Sequence, residues 1–375
     1  MKVNIFSMPR LQSSITYAFC LLIIWLGINC RVAAQETPRL LVGAAFQQGA
    51  VIMHTAKIKH FAGTNPTGLE LNVQYQTTGK KYWQQLYAYP RIGASFTYLN
   101  YHQPVLGQSF ALSTYMSLPV FKKIARQLHF RFGPGLAYFS NKFDRTENPG
   151  NNVISSTWNA VIQTRLEYDF PIHPRFSGLA AFGLNHYSNG GNSKPNLGMN
   201  IATATLGINF LKNTNRFLIQ QDPDVIKQRY YFTLSSSLGI KQRNDFDTAR
   251  YIVKSVALMA LHRINLKSTL LLGVEGFYDP SLVARRAWDP RVKPGTTPDI
   301  RRVGINAGHE LNFGKVAFGT QVGWYVYRPY KADAPFYQRL ETKVQLHKNF
   351  FIAADLKLHD IIKADIIEYR LGIRI

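Results

Sequence analysis

Hydrophobic and polar residues alternate with a period of two along most of this chain. Leu69, Leu71, Val73 and Tyr75 form one apolar row, with Glu70, Asn72 and Gln74 between them. Phe110, Leu112, Thr114 and Met116 form another. Trp158, Ala160, Ile162, Thr164, Leu166 and Tyr168 form a third, against Asn159, Gln163, Arg165 and Glu167. Near the end, Ile367, Tyr369, Leu371, Ile373 and Ile375 alternate with Glu368, Arg370 and Arg374. Successive side chains of a strand point to opposite faces, so this alternation predicts sheets with one apolar and one polar face. No helical stripe competes with it.

The pattern predicts sixteen strands, near 39–46, 67–77, 91–101, 108–119, 127–139, 156–169, 175–187, 200–211, 229–241, 250–264, 268–278, 302–313, 315–327, 336–347, 349–359 and 364–375. Many exceed the ~5–6 residues of an average soluble strand and reach the ~9–11 that a tilted strand needs to cross a bilayer. The expected fold is therefore all-β: a transmembrane antiparallel β-barrel of about 14–16 strands, of the outer-membrane type, with no edge left unpaired. No repeat, low-complexity tract or linker divides the chain, so residues 35–375 are expected to form a single barrel, its C-terminal strand closing on the first. A soluble exported sandwich also alternates, but with shorter strands and fewer exposed aromatic residues.

The connections orient the chain. If the first strand leaves the periplasm, turns after even strands should be short and loops after odd strands long. Turns around 171–173, 265–267, 314 and 348 follow even strands and are short, and the loops at 140–154, 187–199 and 279–301 follow odd ones. The connections at 78–90 and 212–228 break the rule, being long where short turns are expected.

Composition adds the compartment. The 375 residues are 46% hydrophobic and only 17% charged, with 24 Phe and 20 Tyr, which excludes a disordered chain. Lys2 and Arg10, the apolar stretch Ile15 to Ile28 and the small residues Val32-Ala33-Ala34 predict a cleaved signal peptide over 1–34 rather than a retained anchor, since the apolar stretch is short and ends in a processing site. Both cysteines, Cys20 and Cys30, fall inside it, so the mature chain would have no disulfide, thiolate metal site or thiol nucleophile. Of the 44 Lys and Arg only Lys2, Arg10 and Arg31 lie in the leader, against 21 Asp and Glu in the whole chain. Such a cationic exported protein suits an anionic lipid surface, such as a phosphorylated glycolipid. Export disfavours nucleic acid as the partner.

One segment is suited to chemistry: His186-Tyr187-Ser188-Asn189-Gly190-Gly191, followed by Lys194-Pro195-Asn196 and Gly198. His186 and Ser188 lie two apart at a strand end, so both side chains face the same way, roughly 6.5–7 Å apart along the strand. An imidazole so placed can take the proton of a serine hydroxyl attacking an ester carbonyl. The glycine-rich turn can offer backbone N–H groups, and Asn189 and Asn196 can donate from their amides, as an oxyanion site requires. His-x-Ser also occurs by chance, and Asn-Gly-Gly is a good turn on its own account. The outward run of the seventh strand puts the pair at the outer rim, where it would meet the glycolipid leaflet.

At these residues the chain resembles the outer-membrane lipid A 3-O-deacylases, β-barrel esterases that remove the acyl chain at position 3 of lipid A. The resemblance rests on the His-aromatic-Ser-Asn motif and the Pro-Asn-x-Gly turn and covers roughly 39–211, the whole of a short family member; 229–375 would be additional barrel, and long members look similar to the whole chain. It implies His186 as general base and Ser188 as nucleophile, Asn189 as the motif asparagine, Asn196 and the N–H of Gly191 as oxyanion donors, and catalysis without metal or organic cofactor. The implied partners are lipid A, lipopolysaccharide and the lipids of the bacterial outer membrane; homo-oligomerisation is left open. Asn200 departs from the family, standing in the place of its acidic triad member. An amide oxygen can fix a histidine tautomer but supplies no charge.

The other histidines, His54, His60, His102, His129, His173, His262, His309, His347 and His359, are scattered without metal-site spacing and read as structural. Asp144, Glu147 and Asp279 are expected as solvated loop acids or counter-ion partners. Glu70, Glu167 and Glu275 are expected to face the barrel interior and pair with Arg or Lys. Two classes of function compete: a Ser/His esterase of lipid A, and a non-catalytic barrel, either a pore or transporter with a water-filled lumen or a silent relative. They differ in geometry, since the esterase needs His186 Nε2 and Ser188 Oγ together on the lipid-facing rim.

Overall fold

A computed structural model of the protein describes residues 37–121, 127–215, 225–226, 228–359 and 363–375. The expected signal peptide lies outside the described residues. The strands are β1 (Thr37–Val51), β2 (Thr67–Gln76), β3 (Arg91–Asn100), β4 (Gln108–Pro119), β5 (Leu128–Phe139), β6 (Trp158–His173), β7 (Phe176–Ser188), β8 (Met199–Asn215), β9 (Tyr230–Gln242), β10 (Arg250–Arg263), β11 (Ser268–Tyr278), β12 (Arg302–Phe313), β13 (Val316–Tyr327), β14 (Phe336–Gln345), β15 (Phe350–His359) and β16 (Lys363–Arg374). Two short helices, α1 (Tyr82–Leu86) and α2 (Ser281–Ala287), and a 3₁₀ turn, Ala56–Phe61, sit in the connections.

All sixteen strands are antiparallel to their neighbours, but they close as two barrels of eight and not as one ring. β1 pairs with β8, and β16 pairs with β9 instead of β1. This corrects the single closure expected from the sequence. It also accounts for the long connection after β8, which carries the chain from one barrel to the next. The other exception, between β2 and β3, holds α1, whose Trp83 and the following Tyr87 pack on the β12–β13 turn of the second barrel.

Eight strands enclose a lumen just wide enough for side chains to fill. In the first barrel Glu70 is buried between Arg131 and Arg165, each 2.8 Å away, and Glu167 accepts from Arg131 at 3.3 Å. In the second, Arg339 and Arg370 meet Glu275 at 2.6 and 2.9 Å. The inward-facing acids read from the alternation, Glu70, Glu167 and Glu275, are thus all ion-paired. Toward the outer end the first lumen turns apolar: Ile58, Phe61, Leu99, Tyr101, Phe139, Val153, Ile154, Tyr187, Met199 and Ile201 form one buried cluster. Asp144 caps its own outer loop through the N–H groups of Thr146 and Glu147. Asp279 departs from expectation, being buried against Lys241 at 2.8 Å and accepting from Ser281.

The barrels touch along their length. Phe132 of β5 meets Phe318 of β13 edge-on at 5.1 Å. At the outer end, the turn after β7 lies against the start of β16 and the end of β9.

Candidate active site

Register brings the site together. His186 of β7 lies directly opposite Asn200 of β8, and Ser188 opposite Ala160 of β6. Tyr187, between them, points into the barrel, fully buried and edge-on to Phe139 at 5.3 Å. Alternation then sends His186 and Ser188 to the outer face shared by the exposed Phe182 and Leu184. Both side chains lie on the outer face of the barrel wall and not in its lumen, His186 half-buried and Ser188 buried.

His186 Nδ1 is 2.6 Å from Asn200 Oδ1, which leaves Nε2 as its other ring nitrogen. Ser188 Oγ accepts from Asn196 Nδ2 at 2.9 Å and from the N–H of Gly190 at 3.2 Å. Among the described residues His186 and Ser188 do not hydrogen-bond to each other. Gly198 has φ +74°, and a Cβ there would lie 3.1 Å from His186 Cε1, so its lack of a side chain leaves room for the ring.

Asn189 organises the turn. Its Oδ1 accepts from the N–H of Gly191 at 3.0 Å, and its Nδ2 donates to Ser155 Oγ and to the carbonyl of Ser193, both at 3.1 Å. The N–H of Gly191 is thus engaged by Asn189, and it is Gly190 whose N–H meets Ser188. Gly190 was missed in the sequence because two adjacent glycines are equivalent until the turn conformation is known. The second barrel holds the turn from outside. Gln242 donates its N–H to Gly191 O at 3.0 Å and accepts the N–H of Lys194 at 2.9 Å. A Cβ on Gly190 would strike Ile367 at 2.3 Å. Half-buried at this seam, Lys194 has its ammonium held below the usual lysine value by burial, with Asp365 opposing that shift.

Two family models match the chain, one for each barrel. Residues 67–209 match lipid A 3-O-deacylase (PagL), and residues 228–375 match the acyloxyacyl hydrolase C-terminal domain. The chain belongs to the lipid A 3-O-deacylase family. Membership supports a lipid A deacylase function, and with it a hydrolase acting on lipid A, and points to the bacterial outer membrane. No curated protein matches the chain. Among solved structures, the attachment invasion locus protein Ail of Yersinia pestis is 16% identical with a TM-score of 0.28, over 46% of this chain and 98% of that one. CdiB from Acinetobacter baumannii is 10% identical with a TM-score of 0.19, over 91% and 61%. The P. putida toluene transporter TodX is 8% identical with a TM-score of 0.19, over 91% and 88%. At such identities and TM-scores none of them bears on activity.

In this deacylase-family chain the residues singled out from the sequence, His186, Ser188, Asn189, Gly191, Asn196 and Asn200, gather at the mouth of one strand pair. His54 also belongs to the cluster: its Nδ1 is 3.3 Å from Asn200 Nδ2 and its Nε2 is 3.2 Å from Leu197 O. No local spacing could have found it, since it lies 146 residues before Asn200.

Proposed function

We propose that this protein hydrolyses the 3-O-linked acyl ester of lipid A, with Ser188 as nucleophile, His186 as general base and Asn200 as a neutral orienting group. The observation that carries the reading is the 2.6 Å contact of His186 Nδ1 with Asn200 Oδ1, on the same outer face of the barrel wall as Ser188. A proton on Nδ1 leaves the lone pair on Nε2, the nitrogen a general base must use.

The reaction then runs as an acyl transfer. Ser188 Oγ adds to the ester carbonyl carbon while its proton passes to His186 Nε2, and the carbonyl oxygen takes the negative charge. Asn196 Nδ2 and the N–H of Gly190, both already within bonding distance of Ser188 Oγ, are the oxyanion donors. Collapse breaks the ester bond, and the departing sugar oxygen takes the proton from His186. Water, deprotonated by the same imidazole, then releases the fatty acid from Ser188. The free site lacks a His186–Ser188 hydrogen bond, and catalytic bonds of this kind commonly tighten only when substrate is bound. Outward-facing Leu184 and Phe182, paired with Ala202 and Ala204, give the acyl chain an apolar wall beside the pair.

In detergent, Ser188→Ala and His186→Ala should each abolish deacylation of lipid A while the barrels stay folded. The double variant should be little worse than either, because the two act as a unit. Full activity in Ser188→Ala would remove the nucleophile assignment.

A further inference from the structure

An asparagine in the orienting position raises a problem that a carboxylate does not. The two oxygens of a carboxylate are alike, whereas an amide has one accepting end and one donating end. Turned one way, Asn200 holds the Nδ1–H tautomer of His186 and leaves Nε2 basic. Turned the other way, it donates to Nδ1 and holds the proton on Nε2, and that imidazole cannot deprotonate Ser188.

The surroundings of Asn200 decide between the two. Val51 at the end of β1 pairs with Ile201 of β8, and the N–H of Ile52 donates to Asn200 O at 2.8 Å. Barrel closure therefore delivers His54, two residues further on, to Asn200. His54 Nε2 lies 3.2 Å from the carbonyl of Leu197, whose own N–H is tied to Asn152 O at 3.2 Å. A carbonyl only accepts, so Nε2 of His54 carries the proton. A neutral imidazole has a single N–H, so His54 Nδ1 is an acceptor. The group that faces it at 3.3 Å must then be the NH₂ of Asn200, and the amide oxygen is left for His186. Donor and acceptor roles propagate without a break from the Leu197 carbonyl through His54 and Asn200 to His186.

We infer that His54 is a positioning residue: acting through Asn200, it sets the tautomer of His186. It thereby supplies the directionality that a carboxylate would have by charge. The inference rests on the Ser/His reading proposed above.

The test is a double-mutant cycle on the purified full-length protein in detergent with lipid A as substrate. His54→Ala should lower kcat about five- to ten-fold, the worth of one neutral hydrogen bond, with KM unchanged. In an Asn200→Asp background, where either oxygen serves, the same change should cost less than about two-fold. A kcat unaffected by His54→Ala, or an equal loss in both backgrounds, would overturn the inference, the second outcome marking a merely structural role. Imidazole ¹⁵N spectra give a readout independent of turnover. His186 should show Nδ1 protonated and Nε2 free in the native protein, and a mixture in His54→Ala; an unchanged tautomer there overturns the role. A Ser188→Ala arm separates the two claims. Activity in that variant sinks the Ser/His reading and this inference with it, whereas an inactive Ser188→Ala beside an unaffected His54→Ala sinks the inference alone.

Discussion

In the proposed mechanism Asn200 holds His186 by one short hydrogen bond and contributes no charge to the imidazolium that forms as Ser188 attacks. Asn200→Ala should lower deacylation because the tautomer is no longer held. Asn200→Glu should raise it about ten-fold, ~1.4 kcal/mol, because a carboxylate also stabilises the imidazolium. In serine proteases the acid-to-amide change costs ~10⁴ because there the amide selects the wrong tautomer. Here its orientation is set by His54. Steady-state rates of the two variants on lipid A check this, and an Asn200→Ala protein as fast as wild type would remove Asn200 from the mechanism. That His186, Ser188 and Asn196 would lie close together was legible because strand alternation and turn composition are local. His54 and the choice of Gly190 over Gly191 were not, because each depends on where the folded backbone brings a distant or degenerate group.

At the scale of elements, β7 and β8 aim the pair and β9 and β16 brace the turn beside it. Gln242 donates its N–H to the carbonyl of Gly191 in the turn and accepts from the N–H of Lys194, and Ile367 lies where a side chain on Gly190 would be. Gln242→Ala removes the acceptor for the Lys194 N–H and should reduce turnover about five-fold, in line with one hydrogen bond of ~1 kcal/mol. Rates for this variant, compared with an equivalent change on the far rim of the second barrel, test whether the second barrel supports catalysis through this contact. The sixteen strands and their alternating long and short connections could be read from the chain, since period two and turn length are properties of short segments. Which strands close on which could not. Closure depends on pairings such as β1 with β8, across some 160 residues, and no local pattern distinguishes one ring from two.

At the scale of the whole molecule, both lumens contain salt-bridged side chains, and the first is capped by an apolar cluster beneath its outer loops. Planar-bilayer recordings of the purified protein should therefore lack porin-like conductance steps; stable open channels would restore the pore reading. The interior charges hold one another in place. Glu70→Ala would leave two buried arginines, Arg131 and Arg165, with Glu167 as their one remaining carboxylate and should cost about 3–5 kcal/mol, read as a lowered unfolding midpoint. Deacylation assayed well below that midpoint should persist, since Glu70 lies in the lumen and the pair on the outer face. In the proposed function, the outer rim of the first barrel removes one acyl chain from lipid A through Ser188. Mass spectrometry of lipid A incubated with the purified protein tests it most directly. Loss of a single 3-O-linked acyl chain is expected with the native protein and an unchanged mass with Ser188→Ala. Unaltered lipid A with the native protein, or the same loss with Ser188→Ala, would contradict it.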